Sequence, residues 1–145
     1  MQNKKKILIL CTGNSCRSQM AHGYLQSLDR HILVQSAGTE PAAQINPIAV
    51  KVMREIGIDI SHHSPNLIDR YLNGEWDYVI TVCDTANESC PVFSGKVVNR
   101  LHMGFEDPSR ATGTEEFIWS EFRRVRNEIK DAFDKLYAEQ IKPKL

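Results

Sequence analysis

Apolar positions in this chain follow two rhythms. Residues 7–10 (Ile-Leu-Ile-Leu) form a continuous run without polar alternation, the pattern of a parallel strand covered on both faces. The run opens into a small polar stretch, Cys11-Thr12-Gly13-Asn14-Ser15-Cys16-Arg17. Ser18 then starts a helical period carrying Met20, Ala21, Tyr24, Leu25 and Leu28. Ile32, Leu33 and Val34 predict a second short strand, ended by Ser36-Ala37-Gly38. Asn46-Pro47 is a helix start, a capping side chain followed by Pro at the first helical position. Its apolar face would carry Ile48, Val52, Met53 and Ile56, with Gly57 as the stop. Ser64-Pro65 predicts another short helix bearing Leu67, Ile68, Tyr71 and Leu72. Residues 77–83 (Asp-Tyr-Val-Ile-Thr-Val-Cys) predict the third strand, and residues 96–99 a shorter fourth. The last helix is expected over residues 114–137, burying Phe117, Ile118, Phe122, Val125, Ile129, Phe133 and Leu136.

Strands alternating with helices predict an α/β fold: a three-layer sandwich, a four-stranded parallel sheet with helices on both faces. Nothing divides the chain, so residues 1–145 are expected to form a single domain. Ligands of such sheets sit beyond the carboxyl ends of the strands. The first strand would end at Cys11 and the third at Cys83, so two cysteines share that edge.

Composition narrows the chemistry. With 41% hydrophobic and 25% charged residues in 145, the core should hold without a metal or disulfide staple. Lys+Arg 18 balance Asp+Glu 18, which argues against a broad nucleic-acid or membrane-surface footprint. Residues 7–10 are too short a run for a signal-peptide core or a membrane span. The expectation is therefore a reducing cytosol, with the four cysteines kept as thiols. Such thiols are core filler, metal ligands or redox groups.

The polar stretch has the makings of an anion site. It follows a buried strand and precedes a helix, so its amide N–H groups can converge on one centre, reinforced by the helix N-terminus. Gly13 and Asn14 tolerate the left-handed backbone that such a nest needs. Arg17 offers a planar fork matched to two oxygens of a tetrahedral oxyanion. Cys11 lies at the floor of that field, which should make it the lowest-pKa thiol, with Ser18 donating a further hydrogen bond to its sulfur. A thiolate beneath a bound oxyanion is arranged to attack the central atom. Spacing alone is weak support, since a Cys six positions before an Arg arises readily by chance. The strand before and the helix after carry the argument. G-x-x-x-x-G-K-[ST] and G-x-G-x-x-G are both absent.

At these residues a family resemblance enters. Cys11-Thr-Gly-Asn-Ser-Cys-Arg-Ser18 resembles the active-site loop of the low-molecular-weight protein tyrosine phosphatase superfamily. Cys11 through Ala21 more closely resembles its thioredoxin-coupled arsenate reductase branch. Ser36-Ala-Gly38, Asn46-Pro47, Ile58-Asp-Ile-Ser61, Leu67-Ile-Asp69, Thr81-Val-Cys83, Cys90-Pro91, Gly104-Phe105, Asp107-Pro108 and Arg124-Val-Arg126 follow in the family's order. The resemblance implies reduction of arsenate to arsenite, with phosphate or sulfate as competing oxyanions and thioredoxin as reductant. It implies Cys11 as nucleophile, Thr12, Gly13, Asn14, Ser15, Cys16 and Arg17 as the oxyanion cradle, Ser18 beside the sulfur and Asp107 as general acid. Cys83 would resolve the Cys11 intermediate, and Cys90 would draw the oxidation out as an exposed Cys83–Cys90 disulfide. Residues 84–89 are polar enough to swing in that step. No cofactor or metal is called for, and a monomer is expected.

Two other readings compete. A phosphatase of the family usually has a bulky apolar residue where Ser15 stands, Pro where Gln19 stands, and Tyr after the Asp-Pro pair, here Ser109 and Arg110. A thiol sensor without turnover needs neither Asp107 nor the whole loop. A zinc site is disfavoured, because C-x4-C and C-x6-C lack the usual clip. Cys16 is expected to be a packed side chain, and His62 and His63 structural. Trp76 and Trp119 are expected in the core, and Arg123, Arg124 and Arg126 on a solvated helix face with a possible role in partner docking. Some family members bind potassium with two acidic side chains; His22 and Asn66 stand at those positions, and a protonated His22 could replace the cation's charge.

Overall fold

The computed structural model describes residues 4–145. Strand β1 (Lys5–Cys11) is followed by helix α1 (Arg17–Leu28), β2 (Ile32–Gly38), α2 (Pro47–Arg54), β3 (Glu75–Thr81), β4 (Lys96–His102) and α3 (Glu115–Leu136). The four strands form one parallel sheet in the order β2-β1-β3-β4. The chain leaves β1 toward β2 on one side and later returns to β3 on the other. The crevice between the carboxyl ends of β1 and β3 is thus the point where strand order reverses.

The unbroken apolar run in β1 is explained by cover on both sides. Ile7, Ile9 and Cys11 face a core filled by Met20, Leu25, Val52, Phe122, Ile129 and Phe133 from all three α-helices. Leu8 and Leu10 face a smaller cluster of Ala37, Ile68, Trp76, Val79 and Phe93. That second layer is thin. Where the sequence predicts a short helix after Ser64-Pro65, one 3-10 turn over Ile68–Tyr71 forms instead. Leu67 there is extended and bridges to Gly38, which delays helical backbone until Ile68.

Helix starts follow their caps. The Asn46 side chain accepts from the Ile48 amide at 2.9 Å, and Pro47 opens α2. The Thr114 hydroxyl accepts from Phe117 N–H at 3.1 Å, with Glu115 and Glu116 in the first turn of α3. Gly57 ends the α2 region in the left-handed conformation, φ 81°. The third strand spans Glu75–Thr81, two residues earlier than the pattern predicts, so Cys83 stands beyond it rather than closing it. The fourth strand runs on to His102. Phe117 is 48% exposed, because the first turn of α3 projects past the core. Arg126 is buried and bonds Val52 O at 2.8 Å and Glu55 at 2.7 Å. Arg123 also pairs with Glu55, and Arg124 with Glu106, Glu121 and Glu128. The expected solvated arginine face is therefore largely engaged within the molecule.

Candidate active site

The loop between β1 and α1 turns its carbonyls outward. Thr12 O accepts from Glu40 N–H at 3.0 Å, Gly13 O from Ala42 at 2.9 Å and Ser15 O from Asn46 at 3.1 Å. Cys16 O accepts from Met20 N–H, and Asn14 O from the Gln19 side chain at 3.1 Å. The N–H groups of Gly13, Asn14, Ser15 and Cys16 meet no protein acceptor among the described residues. Helix α1 begins without a side-chain cap and without an acidic residue in its first turn. Its free N–H groups and positive dipole end therefore add to the same nest.

Asn14 provides the left-handed step, φ 50°, the only non-glycine with positive φ among the described residues. Of the two residues that tolerate such a step, Gly13 does not use it. Asn14 is held there from three sides. Its amide donates to Ser18 Oγ at 2.8 Å, and its side-chain oxygen accepts from Asn66 N–H at 2.9 Å and from Gln19 Nε2 at 3.1 Å. Gln19 also donates to Ser64 O at 3.2 Å and meets His63 Nδ1 at 3.0 Å. Among the described residues Ser18 makes no hydrogen bond to the Cys11 sulfur; its oxygen is taken by Asn14. Gly38 passes so close behind the loop that a Cβ would collide with the Thr12 carbonyl.

A cleft of about 220 Å³ opens over this nest, lined by residues 11–17 with Glu88, Asp107 and Arg110. Cys11 is at its floor, 3% exposed. The Arg17 side chain is 4% exposed, and its Nη1 donates to Phe105 O at 3.1 Å. Asp107 Oδ2 lies 3.6 Å from Arg17 Nη2, while its other oxygen caps a 3-10 turn by accepting from Ser109 N–H at 2.9 Å and Ser109 Oγ at 2.6 Å. Glu88, which the sequence reading placed only in a polar segment, lies across the guanidinium and bonds both Nη1 and Nη2.

Burial, and that contact in smaller measure, change the expected thiol chemistry. Burial pushes the Cys11 thiol up to about 11. Arg17 and the Thr12 amide pull it down, but the Glu88 and Asp107 carboxylates push it back up. A depressed Cys11 pKa is therefore not found with Glu88 on Arg17. Of the two free thiols Cys11 is still the lower, since burial raises the packed Cys16 to about 12.

Cys83 and Cys90 are joined as a disulfide, with α-carbons 5.8 Å apart. The β1–β3 ladder ends with Val82 N–H donating to Leu10 O at 2.9 Å, so Cys83 emerges directly beside the Cys11 loop. Cys83 is fully buried and Cys90 half-buried. The bond is thus open to solvent only from the Cys90 side, less exposed than the sequence reading expects.

His22 does not carry a charge here. Burial, then the neighbouring His63, lowers its pKa to about 3. It stacks on His63 with ring centroids 4.4 Å apart and meets Ser36 Oγ at 2.9 Å. Among the described residues no group of three or more His, Cys, Asp or Glu is placed to hold a metal ion. No described helix is long and apolar enough to cross a membrane.

A strand-to-helix anion loop with a floor cysteine and a following arginine, on a four-stranded parallel sheet, defines a phosphatase-type site. The chain belongs to the low molecular weight phosphotyrosine protein phosphatase family, whose model matches residues 6–145. It is similar to the arsenate reductase of Halalkalibacterium halodurans, 51% identical over 128 residues covering 88% of this chain and 91% of that one. It is equally similar to the arsenate reductase of Bacillus subtilis, 51% identical over 130 residues covering 89% and 91%. A solved structure described as an arsenate reductase in the phosphate binding state superposes with a TM-score of 0.78 at 32% identity, covering 93% of this chain and 98% of that one.

Proposed function

We propose that this protein reduces arsenate to arsenite by a three-cysteine relay. The observation that carries the reading is the Cys83–Cys90 disulfide beside the Cys11 oxyanion loop, with Cys11 still free. Hydrolysis of a phosphate ester needs one nucleophilic thiol; a two-electron reduction needs a second, and a third to move the disulfide away. The arsenate reductases at 51% identity over nearly nine-tenths of the chain support the same substrate.

Arsenate would sit on the N–H groups of residues 12–17 and the Arg17 fork, above Cys11. The Cys11 thiolate attacks arsenic, and one oxygen leaves as water, protonated by Asp107. The Cys83 thiolate then attacks the Cys11 sulfur. The sulfur–arsenic bonding pair passes to arsenic, which departs as arsenite, leaving a Cys11–Cys83 disulfide. Cys90 attacks Cys83 and releases Cys11 as thiolate. A protein dithiol of the thioredoxin type attacks Cys90, the more accessible sulfur, and Cys83 leaves. The partner's second thiol resolves that mixed disulfide, so the partner gives up two electrons to Cys83 and Cys90 and leaves as its own disulfide. A reducing cytosol supplies such a dithiol, and the cycle uses no cofactor or metal and needs only one copy of this single domain. Phosphate and sulfate have the same tetrahedral shape and should compete for the loop. A weak phosphatase side activity follows from the same nucleophile.

The test is arsenate-dependent NADPH consumption with thioredoxin and thioredoxin reductase, run beside glutaredoxin with glutathione. Turnover with the first system and little with the second is expected. Turnover with glutathione alone would contradict the relay.

A further inference from the structure

Residues 84–88 form a closed turn inside the disulfide ring. Asn87 and Glu88 N–H both donate to Asp84 O, at 3.0 and 2.9 Å, and the Asp84 side chain holds Ala86 N–H and Asn87 Nδ2. The Glu88 carboxylate is fixed at both ends. It accepts from Asp84 N–H at 2.7 Å, and it bonds the two terminal nitrogens of Arg17. Thr12 Oγ1 donates weakly to Glu88 and to Ser89 O, both at 3.5 Å, tying the segment across the loop mouth. The Glu88 side chain is only 12% exposed, so this is a desolvated ion pair, not a surface contact.

The pair is incomplete in a telling way. Arg17 Nε is buried and has no hydrogen-bond partner. A planar carboxylate takes the two terminal nitrogens of the guanidinium and leaves the Nε donor unused. The converging N–H groups of Gly13–Cys16 are likewise unclaimed among the described residues. A tetrahedral oxyanion has oxygens enough to meet both sets, and to grip Arg17 by its two-nitrogen fork it needs a terminal nitrogen that Glu88 now holds.

We infer that Glu88 is an internal competitor for the oxyanion site, held on Arg17 by the Cys83–Cys90 disulfide and withdrawn when that disulfide is reduced. The inference rests on the oxyanion-loop reading above. The seven-residue separation of the two cysteines makes a small ring, which keeps the Glu88 backbone beside Arg17. Once a dithiol takes up the disulfide, Cys83 and Cys90 return as thiols and the dithiol becomes the disulfide. The ring is then open, and ordering the segment costs conformational entropy that the pair must meet alone. The oxidised enzyme thereby excludes phosphate and arsenate until it has been reset. Linkage requires the converse: an oxyanion that prefers the reduced form makes the disulfide easier to reduce, by the same factor.

Inorganic phosphate is the probe. Full-length wild type, Glu88→Ala and Glu88→Gln are each prepared oxidised and dithiol-reduced, with folding checked by circular dichroism, and titrated calorimetrically. Oxidised wild type should bind phosphate about tenfold or more weaker than reduced wild type. In both variants the two redox forms should agree within about twofold. The redox equilibrium against dithiothreitol should shift with phosphate in wild type by that same factor, and not in Glu88→Ala. Equal affinity in the two wild-type forms would overturn the inference while leaving the oxyanion loop intact. So would a redox difference that survives in both variants. Absence of phosphate binding in every form would instead remove the loop reading, and this inference with it.

Discussion

Gln19 Nε2 donates to both oxygens of Asn14, main chain and side chain, at 3.1 Å each. With Ser18 and the Asn66 amide, this buried amide holds the left-handed step of the anion loop. Gln19→Leu would leave those oxygens, Ser64 O and His63 with fewer partners in a buried setting. A destabilisation of about 1–3 kcal/mol in urea unfolding is expected. Phosphate affinity of the reduced enzyme should fall about tenfold, corresponding to ~1.4 kcal/mol. Unchanged affinity would mean that the loop holds its shape without Gln19.

Gly38→Ala tests the support behind the loop. A Cβ there meets backbone, the Thr12 carbonyl, which cannot move without moving the amides on either side. The variant should lose most phosphate affinity and arsenate turnover, and its melting temperature should drop by several degrees for a cost of about 1–3 kcal/mol. Gly13→Ala is the control, because its Cβ would meet only Ser15 Oγ at 3.8 Å and its φ is not left-handed. Thermal melts of the two variants side by side give the comparison.

Much of this architecture could be read along the chain, and the reasons are local. The β1 run is legible because both of its faces are covered, α2 because Asn46 caps it ahead of Pro47, and α3 because one stripe of it is buried. Cys11, Arg17 and Asp107 were nameable from the loop and the family's motif order, and they do line one cleft. The apolar pattern overruns the end of β3 because Val82 and Cys83 continue it after the strand has ended at Thr81. Glu88 was invisible as a site residue: it lies 71 positions from Arg17, and only the turn at Asp84 aims it back. The raised Cys11 pKa was hidden for a different reason: burial of the sulfur outweighs Arg17, and Glu88 and Asp107 add to it in smaller measure.

Cys11 alkylation reads that electrostatic balance. In the oxidised enzyme burial opposes the thiolate and Glu88 opposes it further, so iodoacetamide should label Cys11 slowly at pH 7, though before Cys16. Glu88→Gln removes one carboxylate, lowers the Cys11 pKa and should speed labelling several-fold at fixed pH, as peptide mass mapping would record. Faster labelling of Cys16 than of Cys11 would contradict the arrangement.

His22 should make stability fall in acid. Its folded pKa is about 3, below the ordinary 6.5, so between those values the unfolded chain binds the extra proton. Stability from this group is complete above about 6.5 and is lost as pH falls toward 3, by about 2 kcal/mol at pH 5. Urea unfolding at pH 7 and pH 5 should show that loss in wild type and a smaller one in His22→Gln. An equal loss in both would place the acid sensitivity elsewhere.

Arg17→Lys keeps a positive charge but loses the planar fork, so a folded enzyme with about a hundredfold lower kcat/KM for arsenate is expected, ~2.7 kcal/mol of lost binding in the transition state. Near-normal turnover in a thioredoxin-coupled assay would mean that the guanidinium does not hold the oxyanion.

The relay itself is tested most directly by a single-turnover measurement on Cys90→Ser. The reduced variant is mixed with excess arsenate and thioredoxin as sole reductant, and arsenite is counted per protein while the cysteines are mapped by mass spectrometry. The account predicts one arsenite per protein, then arrest with Cys11 bonded to Cys83. Continued turnover, or an arrested enzyme with both of those cysteines free, would contradict it.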